Sequence, residues 1–285
     1  MKRRMASLWF WLGVVTLCYL GFWASMLAAT ATYTSPLEIW QVLVSREIRY
    51  ATALSMVTCT VSALVSVVLA VPIAYLMSRK KFRGHALVDA ALDIPIVLPP
   101  MVVGICLLIF FQTSPAELID QGCMRLGLGL RLPPGVTEAV GGCWAWLSDQ
   151  FTYQIAGVVL AQFVIAAAFA IRTMRGVFDH LSARPEDVAL TLGATRWQAL
   201  WHVTLPAARR GMFAAGSVAW ARSLCEFGPI LVFAGATRMK TEVLPTSVWL
   251  AWSVGELEQG VAVSLLMIAI SMVVLVAVKG TGERV

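Results

Sequence analysis

Long apolar runs alternate with short polar stretches along the 285 residues. Six runs are long enough to cross a hydrocarbon layer of about 30 Å, which takes about 20 helical residues at 1.5 Å each. They cover 8–29, 55–77, 91–112, 153–171, 212–233 and 259–278. In lipid the backbone must satisfy its own hydrogen bonds, so each run reads as a helix. The polar segments between them give no support to barrel strands. The pattern therefore predicts an all-α integral membrane protein, one transmembrane domain of about six helices over 1–285.

Two connections stand out by length. Residues 113–152 form a long polar segment with glycine, proline and two cysteines. Residues 172–211 form a second, which itself looks helical. The basic start (Lys2, Arg3, Arg4) and the small residues after the first run resemble a cleavable leader. Its apolar run of 22 residues is longer than the leader's usual ~7–15, which favours a retained helix.

Composition agrees with a membrane protein. The chain is 59% apolar and 13% charged, with a mean hydropathy of +0.78. Soluble domains carry about 25% charged residues, and a globule could not hide this excess of apolar side chains. The net charge of +6 does not point to nucleic acid, because the basic residues flank the apolar runs. One set comprises Lys2, Arg3, Arg4, Arg79, Lys80, Lys81, Arg83, Arg172, Arg175, Arg184, Arg196, Arg209, Arg210, Lys279 and Arg284. The opposite set holds only Arg46, Arg49, Arg125, Arg131, Arg238 and Lys240. The positive-inside rule then puts both termini in the cytoplasm and 113–152 outside.

The internal segment carries the richest local pattern. Pro185 suits a first helical position, and Glu186 and Asp187 fall in the first turn, where the helix dipole favours negative charge. Val188, Ala189 and Leu192 form an apolar stripe, and Gly193 is placed to end the helix in a left-handed conformation. Thr195 and Gln198 have capping-box spacing for a second helix, and Pro206 marks a break before the next span. Such a stripe either folds back on the bundle, lies on the lipid surface, or docks on a partner.

This segment resembles the EAA loop of ABC-importer permeases, E-A-A-x-x-x-G followed nine residues later by I-x-L-P. Here the pattern reads Asp187-Val188-Ala189, three residues, Gly193, nine residues, then Val203-Thr204-Leu205-Pro206. Asp replaces Glu, and Val replaces the first Ala and the Ile. Further runs are similar to oxyanion permeases: Leu98-Pro99-Pro100-Met101-Val102-Val103-Gly104, Glu226-Phe227-Gly228, Phe233-Ala234-Gly235 and Lys240-Thr241-Glu242-Val243-Leu244-Pro245. The resemblance implies a type I importer permease working as a homodimer in the inner membrane. It implies two copies of a separate ATPase docked on the 184–206 loop and an external solute-binding protein. It implies a molybdate or tungstate cargo ahead of sulfate. No GxxxxGK[ST] loop occurs, so ATP would be used by the partner and no cofactor bound directly. The external segment is longer than that family's usual connection.

Other residues admit two readings each. Arg222 and Glu226, four apart in the fifth run, either line the pathway or its gate, or pair internally to fix packing. Pro95, Pro99 and Pro100 interrupt the third run, as a broken helix lining a cavity or as a packing kink. Asp93, just before them, reads as snorkelling at the interface. Cys123 and Cys143 share the external segment and form a disulfide if that side is oxidising, or remain two thiols. No CxxC pair or HExxH suggests a metal site, and no GxSxG suggests a hydrolase. A secondary transporter working without an ATPase is the remaining alternative, as is a permease for another small solute. Co-purification of an ATPase separates the first of these.

Overall fold

The structure, a computed structural model, describes residues 2–115, 117, 119 and 133–282, without the side chains of 2–9, 134, 136 and 277–282. The described residues form helices and turns. In chain order these are α1 (Lys2–Thr32), α2 (Pro36–Val44), α3 (Arg46–Arg79), α4 (His85–Val97), α5 (Pro100–Gln112), α6 (Pro134–Phe151) and α7 (Ile155–His180). There follow α8 (Arg184–Thr191), α9 (Arg196–Ala199), a π-turn (Leu200–Thr204), α10 (Leu205–Leu224), α11 (Gly228–Phe233), α12 (Leu244–Val254) and α13 (Leu257–Gly282).

The bundle is built on α3, α7 and α10. Their buried contact positions are largely alanine: Ala63, Ala70, Ala74, Ala166, Ala170, Ala208, Ala215 and Ala219. Lipid tails are as apolar as leucine, so helices in a membrane gain by close approach, which small residues permit. Ile171, Met174 and Phe178 fill the wider end of the same core. At the other end Phe111, Phe233, Ile230 and Val158 form a second cluster, reached by the Trp144 ring of α6 stacked 5.7 Å from Phe111.

Four helices are long and apolar enough to cross a membrane alone: Phe10–Thr32, Arg46–Arg79, Ile155–His180 and Leu257–Val276. They contain the expected runs 8–29, 55–77, 153–171 and 259–278 to within two or three residues. None of the first helix's apolar window is buried within the chain, which suits a span facing lipid or another subunit. Helix α7 outruns its expected end at 171 by nine residues, and in that extension Arg172 and Arg175 meet carboxylates on α4.

The other two expected spans are broken. The third run becomes α4 and α5, bent by 107°. Pro99 and Pro100 supply no N–H and push the preceding residue out of the helical region, so Leu98 adopts φ −66°, ψ 140°. Pro95, by contrast, lies inside α4 without breaking it. The fifth run stops at Leu224 and resumes at Gly228, where Pro229 sits in the first turn of α11. Arg222 therefore lies in the last turn of α10, while Glu226 lies in the break that follows. The segment 113–152, expected as a loop, contains the 18-residue helix α6. Asp93 accepts a 3.1 Å hydrogen bond from Arg172 on α7.

Candidate functional site

The end of the bundle rich in Lys and Arg carries the EAA-like segment. Short α8 begins with Pro185 in its first turn, and Asp187 N–H bonds to the Ala183 carbonyl at 3.0 Å. It ends in a Schellman arrangement, with Ala194 N–H on Ala189 O at 3.0 Å and Gly193 N–H on Leu190 O at 3.1 Å. Gly193 has φ +92°, the left-handed conformation its place in the sequence calls for. The capping box forms next: Gln198 N–H donates to Thr195 Oγ1 at 3.3 Å, and Thr195 N–H to Gln198 Oε1 at 2.8 Å. Pro206 does not break the chain here. The helix runs on through the π-turn, whose wider ring places Leu205 N–H on Leu200 O, and Pro206 sits in the first turn of α10. Leu205 is buried and Pro206 exposed.

Glu186 holds this segment to the body. Its side chain is only 8% exposed. Oε1 accepts the hydroxyl of Tyr75 on α3, and Oε2 accepts Thr204 Oγ1 of the π-turn at 3.3 Å. Arg79 Nε lies 3.5 Å from Oε2, an ion-pair contact without hydrogen-bond alignment, while its Nη2 donates to Leu181 O at 3.1 Å. One carboxylate thus ties α8 to the ends of α3 and α10 at once. The opposite side of α8 is open: Val188 is 56% and Leu192 83% exposed, with Asp187 exposed and Ala189 half-buried. Beyond Gly193, Trp197 and Trp201 are also exposed, their rings 5.7 Å apart edge to face. The arrangement is a rigid apolar knob on a segment anchored to two membrane helices.

Deeper in the bundle the two helix breaks meet. A Cβ on Gly228 would lie 3.0 Å from Met101 N, and one on Gly104 would lie 2.8 Å from Pro229 Cα. Only glycine permits this contact between α5 and α11. Pro99 and Pro100 form one break, and Glu226 stands in the other. Arg222 Nη1 lies 2.8 Å from Glu226 Oε1, so the two are brought together as an ion pair.

Residues 66–281 match the family described as binding-protein-dependent transport system inner membrane component. The chain belongs to that family. Among curated relatives of these inner membrane components, the molybdenum transport system permease protein ModB of Mycobacterium tuberculosis is 31% identical over 274 residues, covering 96% of this chain and 94% of its own. The sulfate transport system permease protein CysT of Escherichia coli is 25% identical over 250 residues, 87% of this chain and 81% of its own. In fold, the chain is similar to one in the crystal structure of a bacterial alginate ABC transporter bound to its periplasmic protein. That similarity has a TM-score of 0.66 at 15% identity and covers 96% and 94% of the two chains. The chain is a multi-pass inner membrane protein.

For an inner membrane component of this kind, several features escape a reading of sequence. Glu186 looks like a dipole-compensating residue, yet it is the buried anchor, and its partner Tyr75 is 111 positions away. The exposed Trp197 and Trp201 had only their four-residue spacing as a signal. The α4–α7 ion pairs, Asp93–Arg172 and Asp89–Arg175, link charges about 80 positions apart in the chain. Cys143 is exposed on α6, and Cys123 lies outside the described residues, so their pairing falls outside the described structure. Among the described residues no group of three or more His, Cys, Asp or Glu could hold a metal ion.

Proposed function

We propose that this chain forms the translocation path of an ATP-driven importer for a small oxyanion, molybdate or tungstate before sulfate. The observation that carries the transport mechanism is the exposed pair Val188 and Leu192 on a segment pinned by Glu186 to α3 and the π-turn. An apolar knob with no partner among the described residues fits a groove on a separate ATPase. Two copies of that ATPase would serve a homodimer of this chain, and a solute-binding protein would deliver the anion from outside. ATP would be used by the ATPase, and this chain would contribute mechanics. Motion of α8 passes to α3 through Tyr75 and Arg79, and to α10 through Thr204. The membrane helices then swing between inward and outward openings.

In this scheme the chain crosses six times, by α1, α3, the α4–α5 pair, α7, the α10–α11 pair and α13. The Lys and Arg asymmetry puts both termini and α8 in the cytoplasm. The names of the relatives support the oxyanion class, with molybdenum and sulfate permeases both similar along most of their length. The test is reconstitution of the chain with its ATPase and binding protein in proteoliposomes. ATP-dependent uptake of molybdate, competed by tungstate and more weakly by sulfate, is the expected result. Absence of oxyanion uptake in vesicles that hydrolyse ATP on adding the loaded binding protein would overturn the cargo.

A further inference from the structure

The charge pair at the second helix break is placed where a membrane protein can least tolerate charge without a use for it. The Arg222 guanidinium carbon lies 5.5 Å from the centroid of the Phe169 ring. Phe169 lies within the fourth expected span, 153–171, and Arg222 is the eleventh of the 22 residues of the fifth, 212–233, so the guanidinium falls inside the membrane-crossing part of the bundle. An arginine at that depth turns toward protein or water, because lipid tails offer nothing to its donors.

The two partners are buried unequally. The Glu226 side chain is 1% exposed and that of Arg222 is 28% exposed. Neither Glu226 oxygen accepts a hydrogen bond among the described residues; its contact with Arg222 Nη1 is ionic and poorly aligned. The adjacent Ser223 hydroxyl, fully buried, also has no hydrogen-bond partner among the described residues. A pair serving only to lock the packing would be expected to use the full fork of the guanidinium in aligned bonds. Here the carboxylate balances the arginine's charge while leaving most of its donors uncommitted and its outer side accessible.

We propose that Arg222 is a transit site for the oxyanion within the membrane-crossing bundle, and that Glu226 is a fixed counter-charge that keeps this site weak. The inference rests on the oxyanion cargo proposed above. A bare guanidinium in a low-dielectric passage would hold a dianion strongly and stall release; the neighbouring carboxylate repels the same anion and lowers its residence time. An importer needs the second behaviour, since its high-affinity capture is done outside the membrane. The ring face of Phe169 and the helix end fix the guanidinium so that the anion meets it in one place.

The experiment is equilibrium binding of radiolabelled sulfate to the purified permease in nanodiscs, with tungstate and molybdate as competitors, alongside uptake by the reconstituted importer. Glu226→Gln keeps the shape and removes the charge. It should bind at least about tenfold more tightly than wild type and turn over more slowly at saturating substrate. Glu226→Asp, which keeps the charge, should stay close to wild type and serves as a control if the glutamine variant does not fold. Arg222→Gln should lose both binding and uptake, and the double variant should show no gain in affinity. Equal affinity of wild type and Glu226→Gln, or normal uptake by Arg222→Gln, overturns the inference while leaving the cargo standing. A wild-type importer that moves no oxyanion overturns both.

Discussion

The Glu186 anchor makes a prediction whose size follows from its contacts. Glu186→Ala removes an acceptor from two hydroxyls, those of Tyr75 and Thr204, and a counter-charge from Arg79. A hydrogen bond to a charged group contributes about 1.5–3 kcal/mol, and stranding a buried partner adds to the loss. The gain from no longer burying the carboxylate offsets part of this, and the Arg79 side chain is 18% exposed and can be partly solvated. A net loss of about 3 kcal/mol for the docking of α8 follows, a shift of about a hundredfold in its docked population. Hydrogen exchange of the purified permease in nanodiscs reads this directly. The amides of 184–193 should lose protection in the variant, while those of the α3–α7 core keep theirs. Glu186→Gln, which retains an acceptor but not the charge, should fall between. Exchange over 184–193 identical to wild type in Glu186→Ala would refute the anchor, whatever happens to transport.

Two further outcomes follow. At Gly193 a Cβ would meet nothing within 4 Å, so the cost of Gly193→Val is conformational and not steric crowding of the two helices, about 1–2 kcal/mol for a left-handed β-branched residue. The variant should insert at normal levels and lose ATPase co-purification or ATP-coupled uptake; wild-type values of both would reject docking through this turn. The double change Asp89→Asn, Asp93→Asn removes the ion pairs that hold α4 to α7; these are partly exposed, so each contributes about 0.5–1 kcal/mol. Limited proteolysis near 80–85 should become faster with only a small fall in Tm, and unchanged proteolysis would show that apolar contact alone holds α4.

The long helices were legible because composition alone decides them: α3, α7 and α13 are continuous apolar runs. The end of α8 was legible because glycine conformation and capping are settled within four residues of chain. The broken spans were legible only as prolines. Hydropathy sums over a window and carries no direction, so a bend of 107° at Leu98 and Pro99 looks the same as a straight helix. The four-residue spacing brings Glu226 to Arg222 as an ion pair, although α10 itself stops at Leu224 between them. The role of Glu186 was hidden for a different reason. Its partners come from α3 and from the π-turn, and only tertiary packing brings them to one carboxylate.

The π-turn at Leu200–Thr204 adds one residue to the spacing of the rod that joins α9 to α10. Each residue of an α-helix turns the chain by about 100°, and the five residues of this wider turn complete about the rotation of four α-helical ones, so the turn absorbs one residue without rotating the face bearing Trp197 against the face of α10 packed in the bundle. Substitutions within 200–204 leave this angle alone. Deleting one residue there would restore regular α-helical spacing and leave the direction of the α8–α9 projection nearly unchanged, whereas deleting one from the regular helix beside it would swing that projection by roughly a quarter of a turn. The turn is therefore the place in this rod where a change of one residue in length costs the projection least of its direction.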